Sequence, residues 1–146
     1  MQLVKVKIED SLLLYKWFND KESIKHKIKT KNKISLNNHI IWLKNFIKNN
    51  QGIMWLINYD NKNIGNIRLT FIKKNIFEID IFILKDFRRK KLASTALIKA
   101  ENNLNKGSVI HSYVKKNNNK SYKFFSSNGY KLFKSTNDVL YLKKQI

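Results

Sequence analysis

Four consecutive cations, Arg88-Arg89-Lys90-Lys91, stand immediately before an amphipathic run that starts at Leu92-Ala93-Ser94. Leu92, Ala96, Leu97 and Ala100 recur at helical spacing and predict a helix over about residues 90–105, closed by Lys106-Gly107. A helix start exposes backbone N–H groups and the positive end of the helix dipole, so cations crowded there are unfavourable without an anion. The chemistry this arrangement offers is phosphate binding. Upstream, Glu78-Ile-Asp-Ile-Phe-Ile-Leu84 alternates as a strand, with Glu78, Asp80 and Phe82 on one face and Ile79, Ile81 and Ile83 on the other. A carboxylate on such a strand is a titratable group able to accept a proton. His39 is the other titratable candidate, while His26 and His111 read as structural or exposed.

These groups need elements to hold them. Residues 2–8 alternate as a strand, and Asp10 or Ser11 can cap a helix bearing Leu13, Leu14, Trp17 and Phe18. Ser35 caps a second helix through His39, Ile40, Trp42, Leu43, Phe46 and Ile47. Strands follow at Ile53–Tyr59, Asn63–Ile72 and Ile76–Leu84, the first two joined by a turn at Asp60-Asn61-Lys62-Asn63. After the basic turn and its helix come a strand at Val109–Val114, a short helix over 118–128 ending at Asn128-Gly129, and a strand pair at Tyr130–Phe133 and Val139–Leu142. The order is β-α-α-β-β-β-α-β-α-β-β in a single domain, 1–146. It implies an α+β fold with a mixed, mostly antiparallel central sheet flanked by helices.

Two segments together carry a resemblance. Arg88-Arg89-Lys90-Lys91-Leu92-Ala93 is similar to the Arg/Gln-x-x-Gly-x-Gly/Ala turn of the GNAT N-acetyltransferases, with Lys91 in place of the central Gly. Val114-Lys-Lys-Asn-Asn-Asn-Lys-Ser-Tyr-Lys-Phe-Phe-Ser-Ser-Asn-Gly-Tyr130 resembles the family's next segment, with Val114, Asn118, Ser121, Phe124, Gly129 and Tyr130 in register. The resemblance spans essentially the whole chain and implies the GNAT fold, with acetyl-CoA as cosubstrate and no metal. It implies that Arg88, Arg89, Lys90, Lys91, Leu92, Ala93 and Ser94 hold the diphosphate. Backbone near Phe82, Ile83 and Leu84 would serve the thioester, and Asn118, Ser121, Phe124 and Phe125 the pantetheine arm between two parting strands. Substituting Lys91 for Gly removes conformational freedom but keeps the amide hydrogen. Many members place a base where Glu78 stands, with Asp80 as its neighbour. Phe125 occupies the position of the usual acidic Tyr and cannot donate a proton, which leaves Tyr122, Ser121, a water or unassisted thiolate departure.

The N-terminal part bears on the acceptor. Trp17-Phe18-Asn19-Asp20, then His39-Ile-Ile-Trp42-Leu43, is similar to a Trp-Arg-Asn-Asp…His-x-x-Trp pattern of GNATs acting on nucleotide-linked amino-deoxysugars, with Phe18 replacing Arg. This resemblance implies substrate contacts from Trp17, Asn19, Asp20, His39 and Trp42, although Trp17 and Trp42 also read as core. The implied acceptor is the 4-amino group of a UDP-linked 4,6-dideoxy sugar. Acetylation of a ribosomal-protein N-terminus, or a non-catalytic scaffold that binds nucleic acid, are the other readings.

Composition bounds these readings. The formal charge is +20, yet Arg occurs only at 68, 88 and 89 while Lys, Asn and Ile abound. Base-edge recognition favours Arg, so the charge reads as compositional bias rather than as a nucleic-acid surface. Such a surface still attracts anionic cosubstrates. The chain contains no cysteine, which excludes a disulfide framework and a thiolate nucleophile. A reducing cytoplasm is the expected compartment. No apolar run reaches the roughly 20 residues of a membrane span, and a homodimer is compatible with the sequence.

Overall fold

The computed structural model describes residues 1–29 and 32–146. Seven strands form one sheet: β1 (Gln2–Lys5), β2 (Gly52–Tyr59), β3 (Lys62–Lys73), β4 (Ile76–Ile83), β5 (Val109–Lys115), β6 (Lys131–Ser135) and β7 (Val139–Gln145). Their spatial order is β1-β2-β3-β4-β5-β7-β6. All neighbours are antiparallel except β4 and β5, which run parallel. The helices are α1 (Ser11–Phe18), α2 (Lys21–His26), α3 (Leu36–Lys48), α4 (Leu92–Glu101) and α5 (Asn119–Ser127).

Strand alternation sorts the core into two layers. Met54 and Leu56 of β2 bury against Leu14, Trp17 and Phe18 of α1 and Leu43 and Phe46 of α3. Trp55 and Ile57, one residue over, face the other side with Ile67, Leu69, Ile79 and Ile110, under α4 and α5. Ala96, Leu97 and Ala100 line the inner face of α4 and are fully buried, and the small alanines let that helix lie close to the sheet. A fully buried leucine such as Leu97 contributes about 2–3 kcal/mol.

Turn chemistry fixes the β2–β3 register. Tyr59 pairs with Lys62 across a two-residue loop, and Asp60 and Asn61 adopt φ of 51° and 57°. Asp and Asn tolerate that left-handed region better than most residues, and a turn with both central φ values positive matches the strand twist. Gly65 answers a different need. A Cβ there would lie 2.0 Å from the Phe82 carbonyl oxygen, so only glycine lets β3 approach β4 at this point.

Three elements differ from the sequence expectation. β1 stops at Lys5 rather than residue 8, because Ile8–Asp10 turns into a short 3-10 segment whose Asp10 carboxylate accepts from the Lys7 N–H at 2.8 Å. The helix after the basic turn runs from 92 to 101, not 90 to 105, because Lys91 takes a left-handed φ of 59° that no helix interior adopts. α2 is an additional helix, capped by the Asp20 carboxylate on the Ser23 N–H at 3.2 Å.

Candidate active site

The parallel pair is short. β4 and β5 match only over Ile76–Val109, Phe77–Ile110 and Glu78–His111; among the described residues no further pair joins the two strands. The missing half of this ladder leaves a gap in the middle of the sheet. On its β3 side β4 stays paired to the end, and Leu84 N–H donates to the Ile64 carbonyl at 2.8 Å. Ladder alternation then turns the N–H groups of Asp80 and Phe82 toward β3 and those of Ile81 and Ile83 toward the gap. Within the expected stretch Phe82–Leu84, the backbone donor free for a developing oxyanion is therefore that of Ile83, joined by Ile81. The amides of Phe82 and Leu84 are committed to β3.

The basic turn closes the far end of the gap. Arg89 and Lys91 both hold left-handed backbone, with φ of 60° and 59°. Alternation of this kind aims successive amides to one side, as anion-binding nests do. Among the described residues, none of the amides from Arg89 to Ser94 has a hydrogen-bond acceptor. Arg89, Lys90 and Lys91 are exposed around them. Arg88 points back along β4, its Nε donating to the Ile83 carbonyl at 2.8 Å and its Nη1 to Glu22 Oε2 at 2.8 Å. The Arg88 guanidinium holds the Glu22 carboxyl below the usual carboxylate range. A cleft of about 390 Å³ opens here, lined by Asp20, Lys21 and Glu22 on one side and Phe82, Leu84, Lys85 and Arg88 on the other.

α5 forms the other wall. Asn118 caps it, its Oδ1 accepting from the Ser121 N–H at 3.2 Å while its Nδ2 donates to the Ser121 hydroxyl at 2.9 Å. Asn128 Nδ2 donates to the Ser94 hydroxyl at 3.1 Å, which ties the end of α5 to the first turn of α4. Tyr122 and Phe124 are half-buried, whereas Phe125 is buried edge-on against Tyr130. The residue at the usual Tyr position thus belongs to the core, whereas Tyr122 and Ser121, in the first half of this helix, are half-buried.

The face under α1 and α3 carries the carboxylates. Glu78 accepts from the Lys29 ammonium at 2.6 Å. Asp80 accepts from Arg68 Nη2 at 3.1 Å, directly across the β3–β4 pair. The Arg68 guanidinium lies 5.3 Å from the Trp42 ring and 5.8 Å from the Phe18 ring, an aromatic cradle that shields it. Lys27 Nζ sits 5.2 Å from the same Phe18 ring, and burial pushes its ammonium below the ordinary lysine value.

The five N-terminal candidates separate by location. Trp17 is buried against Phe82, with ring centroids 5.6 Å apart. His39 is fully buried among Tyr15, Phe18 and Trp42, and burial lowers its basicity. Asn19 exchanges two hydrogen bonds with the Ile34 backbone and closes the loop between them. Asp20 lines the cleft, and Trp42 is half-buried beside Arg68. Glu22, Lys29, Arg68 and Tyr113 are further residues beside the candidate site that motif reading misses, because only tertiary structure brings them there. The Arg68–Asp80 pair alone could have been found from the strand register.

Comparison with known proteins agrees with this geometry. Residues 1–131 match the family model described as acetyltransferase (GNAT) domain. No curated protein sequence is significantly similar to the chain. Among solved structures, spermidine N-acetyltransferase from Vibrio cholerae in complex with CoA and spermine superposes with a TM-score of 0.86 at 18% identity, covering 99% of this chain and 94% of that one. Ribosomal-protein-alanine N-acetyltransferase from Brucella melitensis gives 0.79 at 14% identity, with both chains covered fully at 100%. An acetyltransferase from Thermus thermophilus gives 0.83 at 14% identity over 99% of this chain and 96% of that one.

Proposed function

Because the chain belongs to the GNAT acetyltransferase family, we propose that it moves acetyl directly from acetyl-CoA to the 4-amino group of a UDP-linked 4,6-dideoxy amino sugar. The observation that supports direct transfer is the gap itself. It leaves the N–H groups of Ile81 and Ile83 unpaired by β5 and ends at the unpartnered amides of Arg89 to Ser94.

Those amides and the cations around them bind the diphosphate, with Ser94 fixed by Asn128. The free edges of β4 and β5 hold the amide-bearing arm as an added strand. When bound, the cosubstrate supplies an activated acetyl thioester. The Ile83 N–H donates to the carbonyl oxygen as charge develops on it. Glu78, directly or through a water, takes the proton from the acceptor ammonium, with Asp80 as the adjoining carboxylate. Tyr122 or Ser121 stands nearest to return a proton to the departing thiolate, whose modest basicity makes the assistance small. Holding amine and thioester together provides much of the acceleration.

Charge supports the anionic acceptor. Lys29 and Arg68 offset Glu78 and Asp80, and Lys27 adds a further cation on the same face. A polyamine would meet repulsion there, whereas the diphosphate of a nucleotide-linked sugar would be attracted. Half-buried Trp42 offers a ring for the apolar face of a sugar.

Mass spectrometry of reactions with acetyl-CoA tests this reading. The acceptors would be UDP-linked 4-amino sugars, spermidine and a peptide with an N-terminal alanine. Acetylation of the sugar nucleotides is expected. Turnover confined to spermidine or to the peptide would overturn the acceptor assignment.

A further inference from the structure

The amine nearest the candidate base belongs to the chain itself. Lys29 Nζ lies 2.6 Å from Glu78 Oε2 and 5.8 Å from the centre of the Tyr113 ring. Glu78 stands on β4 at the last pair with β5, and Tyr113 stands on β5 just past it. The Lys29 ammonium therefore straddles the head of the gap, held by a carboxylate from one wall and an aromatic ring from the other. The Lys29 side chain is 71% exposed, so reagent can reach it.

We propose that Lys29 is an internal acetyl acceptor, modified in cis at the active site. The step rests on Glu78 acting as base. Lys29 Nζ gives a proton to the Glu78 carboxylate and attacks the thioester carbonyl; the N–C bond forms, the C–S bond breaks, the second proton passes from the nitrogen to the departing coenzyme A thiolate, and Glu78 releases its proton to solvent. The product is a neutral amide that no longer pairs with Glu78, which leaves the carboxylate free for an external amine.

Other lysines lack this arrangement. Burial lowers the basicity of Lys27, but its Nζ donates to the Phe18 carbonyl at 2.5 Å and contacts no carboxylate among the described residues. Lys144 pairs with Glu101 at 2.7 Å, but on the α4 side of the sheet, where Glu101 is buried beside Tyr130. Among the described residues, Lys29 alone joins a primary amine to a carboxylate at the gap.

Peptide mapping by mass spectrometry tests the proposal on the full chain incubated with acetyl-CoA and no other acceptor, and on the protein as purified from cells. The expected result is one acetyl group concentrated on Lys29, formed at a first-order rate that dilution does not change. Glu78→Gln should slow it by about a hundredfold or more, the low side of general-base catalysis being about 10²-fold. Acetyl groups scattered over surface lysines, preference for Lys27, or a rate that rises with protein concentration would overturn it. Coenzyme A binding, measured in parallel by calorimetry, keeps the two readings apart. A protein that binds coenzyme A but leaves Lys29 unmodified refutes the internal acceptor while the transfer reading stands. A protein that binds none refutes both.

Discussion

Arg88 Nη1 donates to Glu22 Oε2 at 2.8 Å, joining the end of β4 to α2 across the mouth of the cleft. On the proposed reading, the cation that would meet a diphosphate is held by a carboxylate of the same chain. Glu22 and the diphosphate would then compete for it, and both members of the ion pair are exposed, so salt would screen the contest.

Replacing Glu22 with Gln should release Arg88. Exposed pairs of this type change equilibria modestly, so acetyl-CoA should bind about two- to fivefold tighter at low salt, with the gain shrinking as salt is raised. Titration calorimetry of both proteins at two ionic strengths measures it. Equal affinities would show that Arg88 does not exchange partners.

The left-handed Lys91 carries a cost that glycine would not. A side chain at φ of 59° costs about 1–2 kcal/mol, set against about 0.5–1 kcal/mol for the greater freedom of an unfolded glycine. Lys91→Gly should therefore raise stability slightly, by roughly 0.5–1 kcal/mol. Urea unfolding reads this directly, and a loss of stability would mean that the Lys91 side chain makes a contact worth more than the strain.

A buried polar cluster below α4 predicts a dependence on alkaline pH. Tyr130 donates to Glu101 at 3.1 Å and Lys144 donates to the same carboxylate at 2.7 Å. Burial, then the Glu101 charge and hydrogen bond, push the Tyr130 phenol upward from its ordinary value of 10.0. The unfolded chain loses this proton as pH rises past about 10 while the folded chain keeps it, so this contribution to stability is complete below that pH and falls away above it. Tyr130→Phe should cost about 1 kcal/mol near neutrality. Its deficit against wild type should narrow as pH climbs beyond about 10, and a constant deficit would contradict the assignment.

His39 predicts the opposite limb. Burial lowers its pKa from 6.5, so the unfolded chain takes a proton as pH falls below that value while the folded chain resists. Its share of stability is present above pH 6.5 and is lost as pH drops through the lowered value. Neither ring nitrogen meets hydrogen-bond geometry among the described residues, the Ser11 backbone being the polar group beside the ring. His39→Phe should lose less stability than wild type between about pH 6.5 and pH 5 in paired urea titrations. Identical losses would place the acid sensitivity elsewhere.

Sequence alone revealed what depends on near neighbours. The alternation of Glu78 to Leu84, the turn signal of Asp60-Asn61-Lys62-Asn63 and the small inner face of α4 each report a local period or a turn preference; the turn itself narrows to Asp60-Asn61, because β3 already starts at Lys62. α2 escaped notice because six residues rich in charge carry no clear apolar stripe, and contacts far along the chain help place it. Glu22 meets Arg88, and the Lys25 carbonyl accepts from Lys115 at 2.8 Å. The same reason hid Lys29, 49 positions from Glu78. Trp17 and His39, both buried, mark the limit of such reading. Helical spacing identifies a side chain that points inward, but it does not distinguish a core from a substrate pocket.

A crystal structure with coenzyme A bound tests the central claim most directly. The account predicts diphosphate oxygens within hydrogen-bonding distance of amides between Arg89 and Ser94, and a pantetheine arm lying between β4 and β5 against Ile81 and Ile83. A diphosphate seated elsewhere, or an arm that leaves the gap empty, would contradict it.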